Sequence, residues 1–171
     1  MIETHHLPGL VTRDLFFNVP LDYAQPDKKI RVFARELTRP DLQGRDLPYL
    51  VFLQGGPGFG SPRPMGPGGW IGRALTEYRV LLLDQRGTGR STPLSAQFMQ
   101  GVTPEAQAAY AMQFRADNIV RDAEAIRKEL SPNRLWSILG QSYGGFCSFT
   151  YLSQAPEGLK EVFVTGGVPT L

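Results

Sequence analysis

Gly140-Gln141-Ser142-Tyr143-Gly144-Gly145 is the stretch on which the reading of this sequence turns. It follows an apolar run, Leu135-Trp136-Ser137-Ile138-Leu139, that reads as a buried strand. It opens a segment, Tyr143 to Gln154, that reads as a helix. A serine with a glycine two residues away on either side, between strand and helix, fits a nucleophile elbow. The tight turn strains the serine backbone, and the glycines let strand and helix approach without clashing Cβ atoms. Ser142 Oγ then stands at a helix N-terminus, where the dipole and free N–H groups favour developing negative charge. The competing reading is a Gly-rich turn in which Ser142 only caps the helix. A phosphate loop is a poor fit, because Phe146 and Cys147 follow Gly145 where Lys and Ser/Thr are needed. No strand end carries the Gly-x-Gly-x-x-Gly of a dinucleotide site.

Upstream of the elbow, apolar runs alternate with helical patterns. Tyr49 to Leu53 and Arg79 to Leu83 read as strands buried on both faces, and Lys160 to Thr165 as a further apolar strand. Asp14 to Val19 and Lys28 to Leu37 read as strands joined by a turn at Tyr23–Asp27. Trp70 to Tyr78 is an expected short helix. Thr103-Pro104-Glu105 is a helix start, with a hydroxyl cap and proline at the first position. Arg115 to Leu130 is the clearest helix, with Ile119, Val120, Ala123, Ile126 and Leu130 on one face. This order predicts the α/β class: a mostly parallel sheet of six strands with helices on both faces.

In such sheets chemistry gathers at the carboxyl ends of the strands, and here those ends carry glycines. Many of the 19 glycines and 14 prolines cluster between Gly55 and Gly69, so that loop needs a reason. Acyl transfer needs two N–H donors aimed at the developing oxyanion. Beside an elbow, one comes from the residue after the serine, Tyr143, and the other from the loop after an earlier strand. Gln54-Gly55-Gly56-Pro57-Gly58 supplies that loop, with Gly56 as the candidate donor and Gly55 as a substrate contact. A Gly/Pro turn without a ligand is the plainer alternative. Asp84-Gln85-Arg86-Gly87-Thr88-Gly89-Arg90-Ser91 reads as a structural turn whose charged side chains hold the loops. Asp84 is not the expected triad acid, since in elbow enzymes that acid follows the nucleophile.

Other reactive side chains read as structural. His5 and His6 precede the expected first strand and suit a solvated terminus. Cys147, the single cysteine, reads as a small core residue and excludes an internal disulfide. Trp70 and Trp136 read as packing. No His/Cys/Asp/Glu cluster has metal-ligand spacing, so neither metal nor cofactor is expected. A net charge of +2 gives no reason to expect nucleic acid or an acidic membrane surface. The start lacks a secretory pattern, and no apolar run reaches ~18 residues. A soluble, cytoplasmic protein is therefore expected.

Taken together, the three motifs resemble the proline iminopeptidases (prolyl aminopeptidases), a branch of the α/β-hydrolases. The motifs are Leu53-Gln54-Gly55-Gly56-Pro57-Gly58, Asp84 to Ser91, and Gly140-Gln141-Ser142-Tyr143-Gly144-Gly145. One departure stands at Gln54, where members commonly carry histidine. The resemblance implies a cofactor-free enzyme that removes N-terminal proline from peptides through an acyl-enzyme. It carries Ser142 over as nucleophile and the N–H groups of Gly56 and Tyr143 as the oxyanion hole.

The resemblance also implies that the triad Asp and His, the cap domain and further strands come after Leu171. Residues 1–171 are then the N-terminal part of one core domain, ending after about the sixth strand. On this expectation the chain alone is inactive and has an open sheet edge. Its expected partners are a peptide with N-terminal proline and the remainder of the same protein, with a homo-oligomer left open. Another α/β-hydrolase, such as an esterase or general aminopeptidase, and a non-catalytic binding or assembly module are the rival readings.

Overall fold

The computed structural model describes residues 3–168. Seven strands form one sheet: β1 (Glu3–Leu7), β2 (Leu10–Asp22), β3 (Gln25–Thr38), β4 (Tyr49–Leu53), β5 (Arg79–Asp84), β6 (Trp136–Gln141) and β7 (Leu159–Thr165). Their order across the sheet is β1-β2-β3-β5-β4-β6-β7. The β5–β4, β4–β6 and β6–β7 pairings are parallel, and the three pairings from β1 to β5 are antiparallel. Five of the seven strands therefore point the same way, as the α/β reading requires.

Four α-helices accompany the sheet: α1 (Gly69–Ala74), α2 (Pro104–Met112), α3 (Ala116–Leu130) and α4 (Tyr143–Gln154). The side-chain period of two splits the central strands between two cores. Tyr49, Val51 and Leu53 of β4 join Leu81, Leu83, Ile138 and the buried faces of α3 and α4. Leu50 and Phe52 point the other way, with Val80 and Leu82, onto Ile71 and Leu75 at α1. The continuous apolar runs thus mark strands covered on both faces.

The sequence reading missed one strand and trimmed others. β1 contains His5 and His6, which were expected to precede all strands. It pairs with β2 from Glu3↔Asp14 to Leu7↔Leu10 across a turn in which Gly9 has φ 70°. β2 begins at Leu10, four residues before the expected start, and the strand count is seven rather than six. The expected helix at Trp70–Tyr78 stops at Ala74. The expected helix starts are borne out: Thr103 Oγ1 accepts from Ala106 N at 3.3 Å and caps α2.

Buried ion pairs tie the layers. Arg86 donates to Asp122 of α3 at 2.7 and 2.5 Å, and to the carbonyls of Pro20, Leu21 and Gln113. Tyr23 donates to the same carboxylate at 2.9 Å. Trp136 packs on Tyr49 and donates to Ser131 Oγ at 2.7 Å. Trp70 packs on Phe52 but is partly exposed, so of the two tryptophans only Trp136 is a fully buried core residue. Among the described residues, no helix is long and apolar enough to cross a membrane.

Candidate active site

The turn between β6 and α4 holds Ser142 at φ 54° and ψ −115°. Ser142 has the only positive φ among the described non-glycine residues. An L-residue pays strain for such angles, and they persist only where surrounding contacts fix them. Here Ser142 N donates to Thr165 O at 2.8 Å, and Ser142 O accepts from Gly145 N and Phe146 N. The glycines are sterically required. A Cβ on Gly140 would stand 2.3 Å from Gly144 O, and one on Gly145 would stand 2.7 Å from Gly167 Cα. Ser142 is exposed to solvent.

The Gly-rich loop after β4 meets this turn. A Cβ on Gly55 would lie 3.0 Å from Gln141 O and 3.1 Å from Ser142 Cβ. Gly56 has φ 125° and is exposed. Gly56, Ser142, Tyr143 and Phe146 line one open depression of about 390 Å³, with Gly166 and Val168 on its other side. Among the described residues, neither Gly56 N nor Tyr143 N has a protein acceptor. The Tyr143 and Phe146 rings stack at 5.8 Å and give the depression an apolar wall. Burial pushes the Tyr143 phenol up to about 12, with Cys147 adding to the shift, so it stays neutral. The four residues expected at the site therefore come together: three line the depression and Gly55 supports it from behind.

The turn after β5 is structural, as expected. The buried Asp84 carboxylate accepts from Ser61 N at 2.7 Å and Arg90 N at 2.8 Å, and pairs with Arg63. Cys147 is fully buried, and burial pushes its thiol up to about 12, which makes a thiolate nucleophile unavailable. His5 and His6 lie exposed on β1, at the opposite edge of the sheet from β6. One cluster escaped the sequence reading: the β1–β2 register brings Glu3, His5 and Asp14 within ligating distance of one another. Asp14 is already committed there. Arg35 donates to both its oxygens at 2.6 and 2.9 Å, and Arg90 pairs with it as well.

A strained serine at a strand–helix turn, facing a Gly-rich loop at the carboxyl ends of parallel strands, is matched by a family model. The model, described as alpha/beta hydrolase fold, covers residues 48–170. The chain belongs to the alpha/beta hydrolase fold family.

Among curated relatives of this α/β-hydrolase chain, a proline iminopeptidase of Aeromonas sobria is 58% identical over 95% of the chain. A proline iminopeptidase of Aspergillus aculeatus is 41% identical over 96%. The α/β-hydrolase chain spans 39% of the length of each. Among solved structures, the 2-hydroxy-6-oxo-6-phenylhexa-2,4-dienoate hydrolase of Rhodococcus sp. strain RHA1 superposes with a TM-score of 0.58. It covers 98% of this chain and 48% of its own, at 19% identity. A thermophilic esterase from Thermogutta terrifontis gives a TM-score of 0.57 at 17% identity, covering 90% of this chain and 46% of its own. At such identities these two bear on the fold alone.

Proposed function

We propose that the protein containing this chain is a serine hydrolase that releases N-terminal proline from peptides. The observation that carries the chemistry is the strained, exposed Ser142 sharing one depression with Gly56 and Tyr143. The substrate class rests on the similarity to proline iminopeptidases. Ser142 Oγ attacks the prolyl carbonyl carbon, and its proton passes to a general base. The carbonyl electron pair moves onto oxygen, where Gly56 N–H and Tyr143 N–H donate to it. Collapse breaks the C–N bond, the leaving amine takes the proton, and water later hydrolyses the acyl-enzyme.

His5 and His6 are too far across the sheet to serve as the base. We place the base and its orienting acid in the part of the relatives' length that this chain does not span. The 171 residues alone are then expected to turn over no prolyl substrate at a measurable rate.

The test is release of a chromophore from a prolyl anilide by the full reading frame that contains this chain, with Ser142→Ala as control. Serine-dependent release supports the reading. Cleavage of simple esters without prolyl anilide release would move the substrate assignment to an esterase. Equal activity in the Ser142→Ala variant would remove the nucleophile.

A further inference from the structure

Gln85 is fully inside the protein, yet its amide is not spent on its own turn. Gln85 Nε2 donates to Gln54 O at 3.1 Å, across to the end of β4. Its backbone is fixed by Thr88, whose N and Oγ1 both donate to Gln85 O, at 3.0 and 2.8 Å. The neighbouring residues of β5 hold the far end of the same loop: Ser61 N donates to Asp84 Oδ1, and Ser61 Oγ donates to Leu83 O at 2.7 Å. Leu83, Asp84 and Gln85 thus pin both ends of the Gln54–Ser61 loop, whose tip from Gly56 to Phe59 is exposed.

The Gln54 carbonyl is also crowded by the elbow, since a Cβ on Gly144 would lie 3.1 Å from it. The Gln54–Gly55 peptide plane therefore sits between the Gln85 amide and the first turn of α4. A peptide plane is rigid, so fixing its carbonyl orients the chain entering the next peptide, which carries the Gly56 N–H. Glycine at 55 and 56 leaves the backbone free to rotate away if that anchor is lost.

We propose that Gln85 is a positioning residue that sets the direction of the Gly56 N–H toward the oxyanion. This rests on the serine-hydrolase reading of Ser142. Gln85 touches no substrate and acts through Gln54. The loss expected without it resembles that of a misaimed oxyanion donor, not of a lost binding contact.

Two variants of the full reading frame test this, Gln85→Met, which keeps the shape without the donor, and Gln85→Glu. The readouts are the rate at which a fluorophosphonate labels Ser142, and kcat and KM for a prolyl anilide. Gln85→Met is expected to lose ~10–100-fold in labelling rate and kcat, with KM within about twofold. Gln85→Glu, measured relative to wild type at each pH, is expected to recover as pH falls from about 8 to about 5. A protonated carboxyl can again donate to Gln54 O, whereas a carboxylate repels it. Wild-type labelling rates in both variants, or a Gln85→Glu ratio flat with pH, overturn the proposal. Should Gln85→Met not fold, the pH ratio of Gln85→Glu decides alone. A wild type that is never labelled at Ser142 overturns the underlying reading and this one with it. Labelling without prolyl turnover overturns only the substrate class.

Discussion

Gly144 lies so close to Leu53 that a Cβ built on it would stand 1.8 Å from the Leu53 carbonyl oxygen. The contact is backbone against backbone, between the start of α4 and the end of β4, and no rotamer change can relieve it. Gly144→Ala must therefore push helix and sheet apart. A cost of at least about 3 kcal/mol is expected. Thermal unfolding of the full reading frame, or loss of its soluble expression, checks this.

Ser142 separates strain from chemistry. Ser142→Ala keeps a Cβ at φ 54° and should leave the unfolding midpoint near wild type while abolishing activity. Ser142→Gly removes the steric penalty, about 1–3 kcal/mol, against ~0.5–1 kcal/mol of added chain entropy. It should be the more stable of the two, by a few degrees in Tm. A calorimetric comparison of the two inactive variants reads the difference directly. Equal midpoints would falsify the strain argument.

Arg86 and Asp122 are buried together, so removing one strands the other. Arg86→Met is expected to cost about 3–5 kcal/mol, because it leaves a buried carboxylate without its cation. Arg86→Met with Asp122→Leu should recover part of that loss. Denaturant unfolding of the four proteins in the cycle measures the coupling, expected at about 1 kcal/mol or more.

Glu124 links stability to pH. Burial on its own raises its carboxyl pKa, but Arg127, at 2.7 and 2.9 Å, and the Tyr151 hydroxyl, at 2.6 Å, outweigh it and hold it below the ordinary 4.5. A depressed folded pKa contributes stability that is present above the unfolded value and lost as pH falls through the folded one. The denaturation midpoint should therefore decline below about pH 4.5, and less steeply in Glu124→Gln than in wild type. Identical slopes would show that these hydrogen bonds do not contribute.

The elbow was legible because its signal is local. Glycine spacing, the apolar run before it and the helix after it lie within twenty residues, and each has a steric cause. The buried central strands were legible for a similar reason, since β4 is apolar or aromatic throughout and β5 is apolar from Val80 to Leu83. What escaped is what pairing and burial decide at a distance. β1, Glu-Thr-His-His-Leu, has no apolar face and becomes a strand only through its register on β2. β2 was expected only from Asp14; the residues before it, with polar Thr12 buried among them, join the strand through pairing with β1 and β3. The Gln85–Gln54 hydrogen bond joins two motifs that read as separate signals, and no spacing in the sequence announces it.

The sheet order also sets a sequence of assembly. β2 and β3 close around Tyr23–Ala24, a hairpin that can form while synthesis is still under way. β4 has no such neighbour. Leu50 pairs with Val80, 30 positions on, and with Ser137, 87 positions on. The turn that presents Ser142 is completed only when Thr165 arrives to accept from its N–H. A growing chain therefore carries no poised hydroxyl until almost all of these residues have left the ribosome.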